Sequence, residues 1–181
     1  NTAPFNVAGL AYDQFTGTIY YTESSATAFR LGRYDLTSGT HQIIGDMKTG
    51  WSYNATSAVE HLVFLDDSLY YIHPATDDLV RIKLDSRMPV SAVKEADIAR
   101  DTRNFGTVAH ASLSPDGILY FGSKTAASFG RYNLLRNSGY TDLSSGSAMT
   151  QAQVNAVLYV VPGAPTQMKA GAVASSTVSA T

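Results

Sequence analysis

The chain has 181 residues, of which 44% are hydrophobic and only 15% charged, and its formal net charge is −2. Lys and Arg are scattered singly, which excludes the basic surface of a nucleic-acid-binding protein. No apolar run approaches the roughly 20 residues of a transmembrane helix. The chain contains no cysteine, which excludes disulfides, thiolate catalysis and cysteine-based zinc sites.

Taken in chain order, the first predicted element of note is an aromatic pair that recurs at a fixed spacing. The segment TIYYTES at 18–24 is echoed by SLYYIHP at 68–74 and by ILYFGSK at 118–124. The first tyrosines of these segments are 50 residues apart in each case. A second echo follows each pair, as RYDL, RIKL and RYNL. Such a period indicates a repeat architecture.

Each repeat predicts four short strands separated by turns, because short apolar runs alternate with Gly, Pro, Asp and Ser. The first unit predicts strands at 6–12, 18–22, 30–36 and 40–47. The second predicts strands at 61–65, 68–72, 79–84 and 92–96. The third predicts strands at 110–114, 118–122, 130–134 and 140–143.

Four antiparallel strands in each period of about 50 residues are typical of a β-propeller blade. We therefore predict an all-β fold with blades at about 4–50, 57–103 and 106–147. Neighbouring strand residues face opposite sides of a sheet, so Tyr20 and Tyr21 are expected to pack against different flanking blades. The alternative is an ordinary β-sandwich in which the pairs arise by chance.

The first unit, LAYDQFTGTIYYTESS followed by FRLGRYDLTSG, resembles blades of the YWTD and NHL-type six-bladed propeller superfamily. The matching residues are Leu10, Asp13, Gly17, Tyr20, Tyr21, Asp35, Leu36 and Gly39. No Trp follows the first tyrosine, and the later units lack the YWTD tetrapeptide. The resemblance implies a propeller-type fold over residues 7 to about 145.

The predicted blades are too few for a closed ring, since propellers contain about four to eight. QVNAVLYVVP at 153–162 predicts the first strand of a partial fourth blade within 151–162, and 163–181 predicts a small, polar tail or linker. An open stack exposes an apolar blade face, which favours self-association or a protein partner. The alternatives are a piece of a larger propeller, or a compact β domain without a ring.

Polar residues of the predicted inner strands are the candidates for a ligand site at the channel. Glu60, His61, His110 and, in the partial blade, Asn155 are placed there. Metal-dependent lactonases of the NHL-like superfamily hold a divalent ion with acidic and amide side chains, so the resemblance implies calcium or zinc on Glu60, His110 and Asn155. The alternative is that each is an ordinary polar group at a blade edge, because an acid-rich cage is missing.

Two further features lie in one predicted loop, 47–57. Trp51 and Tyr53 are candidates for stacking on a carbohydrate or for anchoring an interface. The alternative is that Trp51 fills a gap between blades. Asn54 begins a glycosylation sequon, which is meaningful in a eukaryotic secretory setting.

The sequence thus favours a non-enzymatic binding or assembly module, such as a surface-protein, adhesin-like or filament subunit, without a cofactor. The low charge and the abundance of Ser, Thr and Tyr favour an extracellular or cell-surface location, with the periplasm as an alternative. The alternative function is a metal-dependent hydrolase or lactonase. No G-x-S-x-G elbow, H-E-x-x-H motif or phosphate-binding glycine loop is present.

Overall fold

The computed structural model describes residues 6–25, 27–49, 58–73, 75–76, 78–97, 108–123, 129–136 and 138–142. These residues form strands and turns, arranged as three four-stranded antiparallel sheets, each built from strands consecutive in the chain. The predicted all-β fold with propeller-type blades is confirmed. The predicted partial blade at 151–162 and the tail at 163–181 lie outside the described residues, and these boundaries stay predictions.

The first blade contains β1 (Asn6–Asp13), β2 (Thr18–Ser24), β3 (Phe29–Asp35) and β4 (Thr40–Asp46). Two of its turns repeat one motif, Y-D-x-x-x-G. The Asp13 carboxylate accepts from the backbone N–H of Phe15, and the Asp35 carboxylate accepts from that of Thr37, at 2.9 Å each. Each turn ends on a glycine in the left-handed region, such as Gly17 with φ of 67°.

The second blade contains β5 (Val63–Leu65), β6 (Ser68–Ile72), β7 (Asp78–Asp85) and β8 (Met88–Asp97). Its β5–β6 and β7–β8 hairpins close over two residues, and both residues of each pair have positive φ, as at Ser86 (50°) and Arg87 (67°). That geometry matches the twist of the flanking strands and normally selects Asn-Gly or Asp-Gly. Because Ser-Arg carries no such signal, the sequence prediction that the fourth strand begins at residue 92 was wrong by several residues.

The third blade contains β9 (Val108–Leu113), β10 (Ile118–Ser123), β11 (Phe129–Asn133) and β12 (Ser138–Asp142). Its first turn is the predicted Ser-Pro-Asp-Gly, in which Gly117 has a φ of 78° and donates its N–H to the Ser114 carbonyl at 3.0 Å.

The three blades pack face to face. One cluster of buried residues joins the first blade to the second, and another joins the second to the third. The first strands β1, β5 and β9 contact one another in sequence, so they lie along one side of the stack. This is the arrangement of consecutive propeller blades.

The aromatic pairs divide between these two clusters in a regular way. Tyr71 belongs to the cluster shared with the first blade, and Tyr70 packs against the cluster shared with the third. Tyr20 faces the second blade, and Phe121 faces it from the third. The first residue of a pair therefore faces the following blade, and the second faces the preceding blade. Tyr21 also faces the preceding side, where the described residues include no further blade.

Candidate functional site

The surface of the first blade that points away from the second blade is mostly apolar. Opposed residues of antiparallel strands share a face, so the register identifies the residues of this surface. Leu10 opposes Tyr21, and Tyr12 opposes Ile19. We call this surface the open face. The positions of interest on it are Leu10, Tyr12, Ile19, Tyr21, Gly32, Tyr34 and Leu36, and the Glu23–Arg30 ion pair and His41 lie on the same side of the sheet.

Every open-face position has a counterpart at the same register in the other two blades. The counterparts, in the same order, are Leu62, Phe64, Leu69, Tyr71, Val80, Ile82 and Leu84 in the second blade, and Ala111, Leu113, Leu119, Phe121, Gly130, Tyr132 and Leu134 in the third. The hydrogen bonds after the third strand match as well. The backbone N–H of Leu36, Leu84 and Leu134 each donates to a turn carbonyl of its own blade, at 2.9, 3.0 and 2.9 Å.

The counterparts are covered by the preceding blade, whereas the open face is not covered by any described segment. Leu10 is 62% exposed and its counterpart Leu62 is 3% exposed. Tyr34 is 38% exposed, and its counterparts Ile82 and Tyr132 are 0% and 5% exposed. The open face is therefore a blade-packing surface without its blade in the described part of the chain. Contiguous exposed apolar surface of this kind marks an interaction site.

One aromatic ring of the open face is held flat against its own sheet. A Cβ at Gly32 would lie 2.2 Å from Cζ of Tyr21, so the ring occupies the space above the glycine. The Tyr21 ring also stacks on the His41 ring at a centroid distance of 5.6 Å, and its hydroxyl hydrogen bonds to Nε2 of His41. Burial raises the pKa of Tyr21, and the Glu23 carboxylate adds to the effect. These contacts fix the ring before any partner binds, which lowers the entropy cost of association.

A polar seam runs between the first and second blades at their turn end. Arg87 extends from the β7–β8 turn, and its Nη1 lies 3.0 Å from the Asp35 carboxylate and 3.5 Å from the Thr18 hydroxyl. In return, Nη1 of Arg33 donates to the Arg87 carbonyl at 3.4 Å. The pKa of the Asp35 carboxyl is lowered from its usual range, mainly by a hydrogen bond from the Ser38 backbone N–H. The hydrogen bond from Arg87 contributes to the same shift.

Beside this seam lies a cleft of about 300 Å³. Its lining residues are Asp13, Thr16, Tyr20, Phe64, Asp67, Leu84, Asp85, Ser86 and Arg87. Of its charged groups, Arg87 pairs with Asp35 of the first blade and so links the two blades. Within the described ranges, no group of three His, Cys, Asp or Glu side chains is placed to hold a metal ion.

The sequence-predicted channel residues are only partly described. His61 is 6% exposed, and its Nε2 accepts the backbone N–H of Ile72 at 2.8 Å, so it holds the end of β6. Glu60 is half-buried just before β5, and His110 lies in β9 opposite Gly122. Asn155 lies outside the described residues, and the set Glu60, His110 and Asn155 stays a prediction.

The predicted carbohydrate or interface loop also lies outside the described residues, with Trp51, Tyr53 and the sequon at Asn54. For the part of the chain that is described, no helix is suited to crossing a bilayer.

The sequence predicts that an open stack exposes an apolar blade face, but it does not identify the residues of that face. A strand pattern does not say whether a neighbouring blade covers Leu10, Tyr12 or Tyr34. The signal that identifies them is the alignment of the three units, in which Tyr12 takes the position of Phe64 and Leu113.

Comparison with known proteins supports the fold. No protein-family model matches the chain, and no curated protein sequence matches it. Solved structures do match. A protein of unknown function from Bacteroides thetaiotaomicron has a TM-score of 0.54 and 12% identity over 75% of this chain and 35% of its own. An auxiliary nutrient binding protein from the same organism has a TM-score of 0.54 and 13% identity over 76% of this chain and 35% of its own.

A streptogramin B lyase has a TM-score of 0.51 and 10% identity over 78% of this chain and 42% of its own. The chain thus spans 35–42% of the length of these solved structures. At these identities the likeness places the chain with the propeller-type proteins by fold alone. The finer resemblance to the YWTD and NHL-type group stays a prediction.

Proposed function

We propose that this chain is a non-enzymatic assembly module of the propeller type, whose open face receives a further β-sheet from a protein partner. The observation that carries the proposal is the contrast between Leu10, Tyr34 and Leu36, which are 62%, 38% and 50% exposed, and their counterparts in the second blade, which are buried.

Covering the open face contributes a favourable term to the free energy of association, which the rest of the interface has to supplement. Full burial of a large apolar side chain is worth about 1.5–3 kcal/mol, so covering a half-exposed one is worth about 1 kcal/mol. Leu10, Tyr12, Tyr34 and Leu36 together then contribute about 4 kcal/mol to the gross free energy of association.

The solved neighbours do not select a chemistry, since one is a lyase and another a nutrient binding protein. A fold supports many functions, and function has to be argued from a site. In the described residues the site with the clearest physical demand is apolar and flat, which suits a protein partner. The alternative, a metal-dependent hydrolase that uses Glu60, His110 and Asn155, stays a prediction.

We place this role outside the cell, at the surface of a larger assembly, as for an adhesin-like or filament subunit. The support is compositional: the chain is 15% charged and is rich in Ser, Thr and Tyr.

Hydrogen exchange of the full chain tests the proposal without knowledge of the partner. The chain is diluted until light scattering gives the monomer mass, and amide exchange is measured by mass spectrometry. We expect peptides of the first blade to exchange about tenfold faster than those of the second, because only the second is covered on both faces. The second blade serves as the internal control.

Equal protection of the two blades in the dilute monomer would contradict the proposal. It would mean that the first blade is complete without a partner, so that its exposed apolar residues are ordinary surface.

A further inference from the structure

The third blade repeats the surface that the first two blades present to the blade after them. That surface carries a tyrosine from the second strand, opposed by an arginine from the third strand. The pairs are Tyr20 with Arg33, Tyr70 with Arg81, and Tyr120 with Arg131. The surface of the first blade packs against the second blade, and the surface of the second blade packs against the third. In the described residues no further blade follows the third.

The tyrosine of this surface makes a defined contact where the following blade is present. The Tyr20 ring stacks on the Phe64 ring, with centroids 5.8 Å apart and an interplanar angle of 11°. Phe64 is the counterpart of Tyr12 on the open face. The same packing applied to the third blade therefore places Tyr120 on Tyr12 of another first blade. Tyr120 already stacks on Phe129 at 6.4 Å, which limits the orientations of its ring.

The arginine of this surface makes a second contact. Nη1 of Arg33 donates to the carbonyl of Arg87, in the β7–β8 turn of the following blade. The corresponding turn of the first blade joins β3 to β4 and includes Ser38. Arg131 is exposed and so is free to reach the carbonyls of such a turn.

We infer that a second copy of this chain covers the open face with its third blade, Tyr120 lying on Tyr12 and Arg131 on the β3–β4 turn. The contact is head-to-tail, and two copies related by a two-fold axis close it with two identical interfaces. The inference rests on the proposed function and adds the partner, a second copy, and the register of the contact.

Complementation between two variants tests this inference. Tyr12→Glu places a charge on the open face, and Arg131→Glu reverses a charge on the third blade. Both residues are exposed in the monomer, so both variants are expected to fold, which circular dichroism checks. Leu10→Lys is a second open-face variant. Arg136→Glu, an exposed cation in a turn of the third blade, is the matched control.

Light scattering of the full chain over a concentration series gives the readout. We expect the wild type and Arg136→Glu to have at least twice the 19.4 kDa mass of one chain. Tyr12→Glu and Arg131→Glu are each expected to halve the mass of the closed dimer. An equimolar mixture of these two variants regains a dimer, because it contains one intact open face and one intact third-blade surface.

Three results would overturn the inference. A wild type that stays monomeric at every concentration excludes the second copy, and hydrogen exchange then decides whether the proposed function survives with another partner. An Arg131→Glu chain that still dimerises shows that the third blade does not supply the contact. A mixture without recovery shows that the open face of one copy and the third blade of another do not pair with each other.

Discussion

The hydroxyl of Thr22 links the first blade to the chain segment that enters the second, and its removal tests how strongly the blades depend on each other. Oγ1 accepts the backbone N–H of Gly9 at 2.8 Å and donates to the carbonyl of Val59 at 2.6 Å. Thr22 is 2% exposed, so water cannot replace either bond.

Thr22→Val keeps the shape of the side chain and removes both hydrogen bonds. Each buried backbone group left without a partner costs about 1–3 kcal/mol, so we expect the loss of two partners to lower the free energy of unfolding by about 2–6 kcal/mol. Thr22→Ser keeps the hydroxyl and removes one methyl group, which costs about 1 kcal/mol. Ile72 is the counterpart of Thr22 in the second blade by register. Since an apolar β-branched residue is accommodated there, a loss of stability in Thr22→Val is attributed to the hydrogen bonds and not to the apolar side chain.

Urea unfolding followed by circular dichroism gives both values. The reasoning is refuted if Thr22→Val lies within about 0.5 kcal/mol of the wild type, the usual range of a neutral surface substitution. It is equally refuted if Thr22→Ser is as harmful as Thr22→Val, since the methyl group would then account for the loss.

Three other predictions concern the aromatic residues. The Tyr71 hydroxyl is buried without a hydrogen-bond partner among the described residues, and its counterpart in the third blade is Phe121. Tyr71→Phe should therefore raise the free energy of unfolding by about 1 kcal/mol, seen as a higher urea midpoint. A clear loss of stability would show that the hydroxyl has a partner. Gly32→Ala should lower the free energy of unfolding by about 1–3 kcal/mol, because the new methyl group displaces the Tyr21 ring. In a Tyr21→Leu background the same substitution should leave the stability unchanged. Burial raises the pKa of Tyr20 to about 12, whereas an unfolded tyrosine ionises near 10. Its contribution to stability is therefore complete below about pH 10 and falls by about 1.4 kcal/mol per pH unit up to about 12. Urea unfolding at pH 9 and 11 should show a smaller alkaline loss for Tyr20→Phe; an equal loss in both chains contradicts the assignment.

Much of the blade architecture could be predicted because the signals are local. Strand β2, for example, was predicted to start at Thr18, where it does, since Gly17 supplies the left-handed turn and the aromatic pair alternates between faces. The start of β8 could not be predicted, because Ser86 and Arg87 adopt positive φ without glycine. Neither side chain is of a type that predicts a two-residue turn.

The candidate site was harder to predict because it depends on contacts that are distant in sequence. Tyr12 and Phe64 look alike in their strands, yet only Phe64 has a tyrosine ring stacked on it in the described structure. His61 was expected at a ligand, and instead its ring accepts a backbone N–H that is 11 residues away. Whether His61 also serves a ligand stays a prediction, as it does for Glu60 and His110.

Coverage of the open face by a second copy of the chain is the central claim, and the rate of thiol modification at Tyr12→Cys tests it most directly. The chain has no cysteine, so a maleimide reports this position alone. Val90→Cys, 57% exposed on the outer strand of the second blade, is the control. We predict that modification at position 12 slows as the concentration of the chain rises, while modification at position 90 does not change. Equal, concentration-independent rates at both positions would contradict the account.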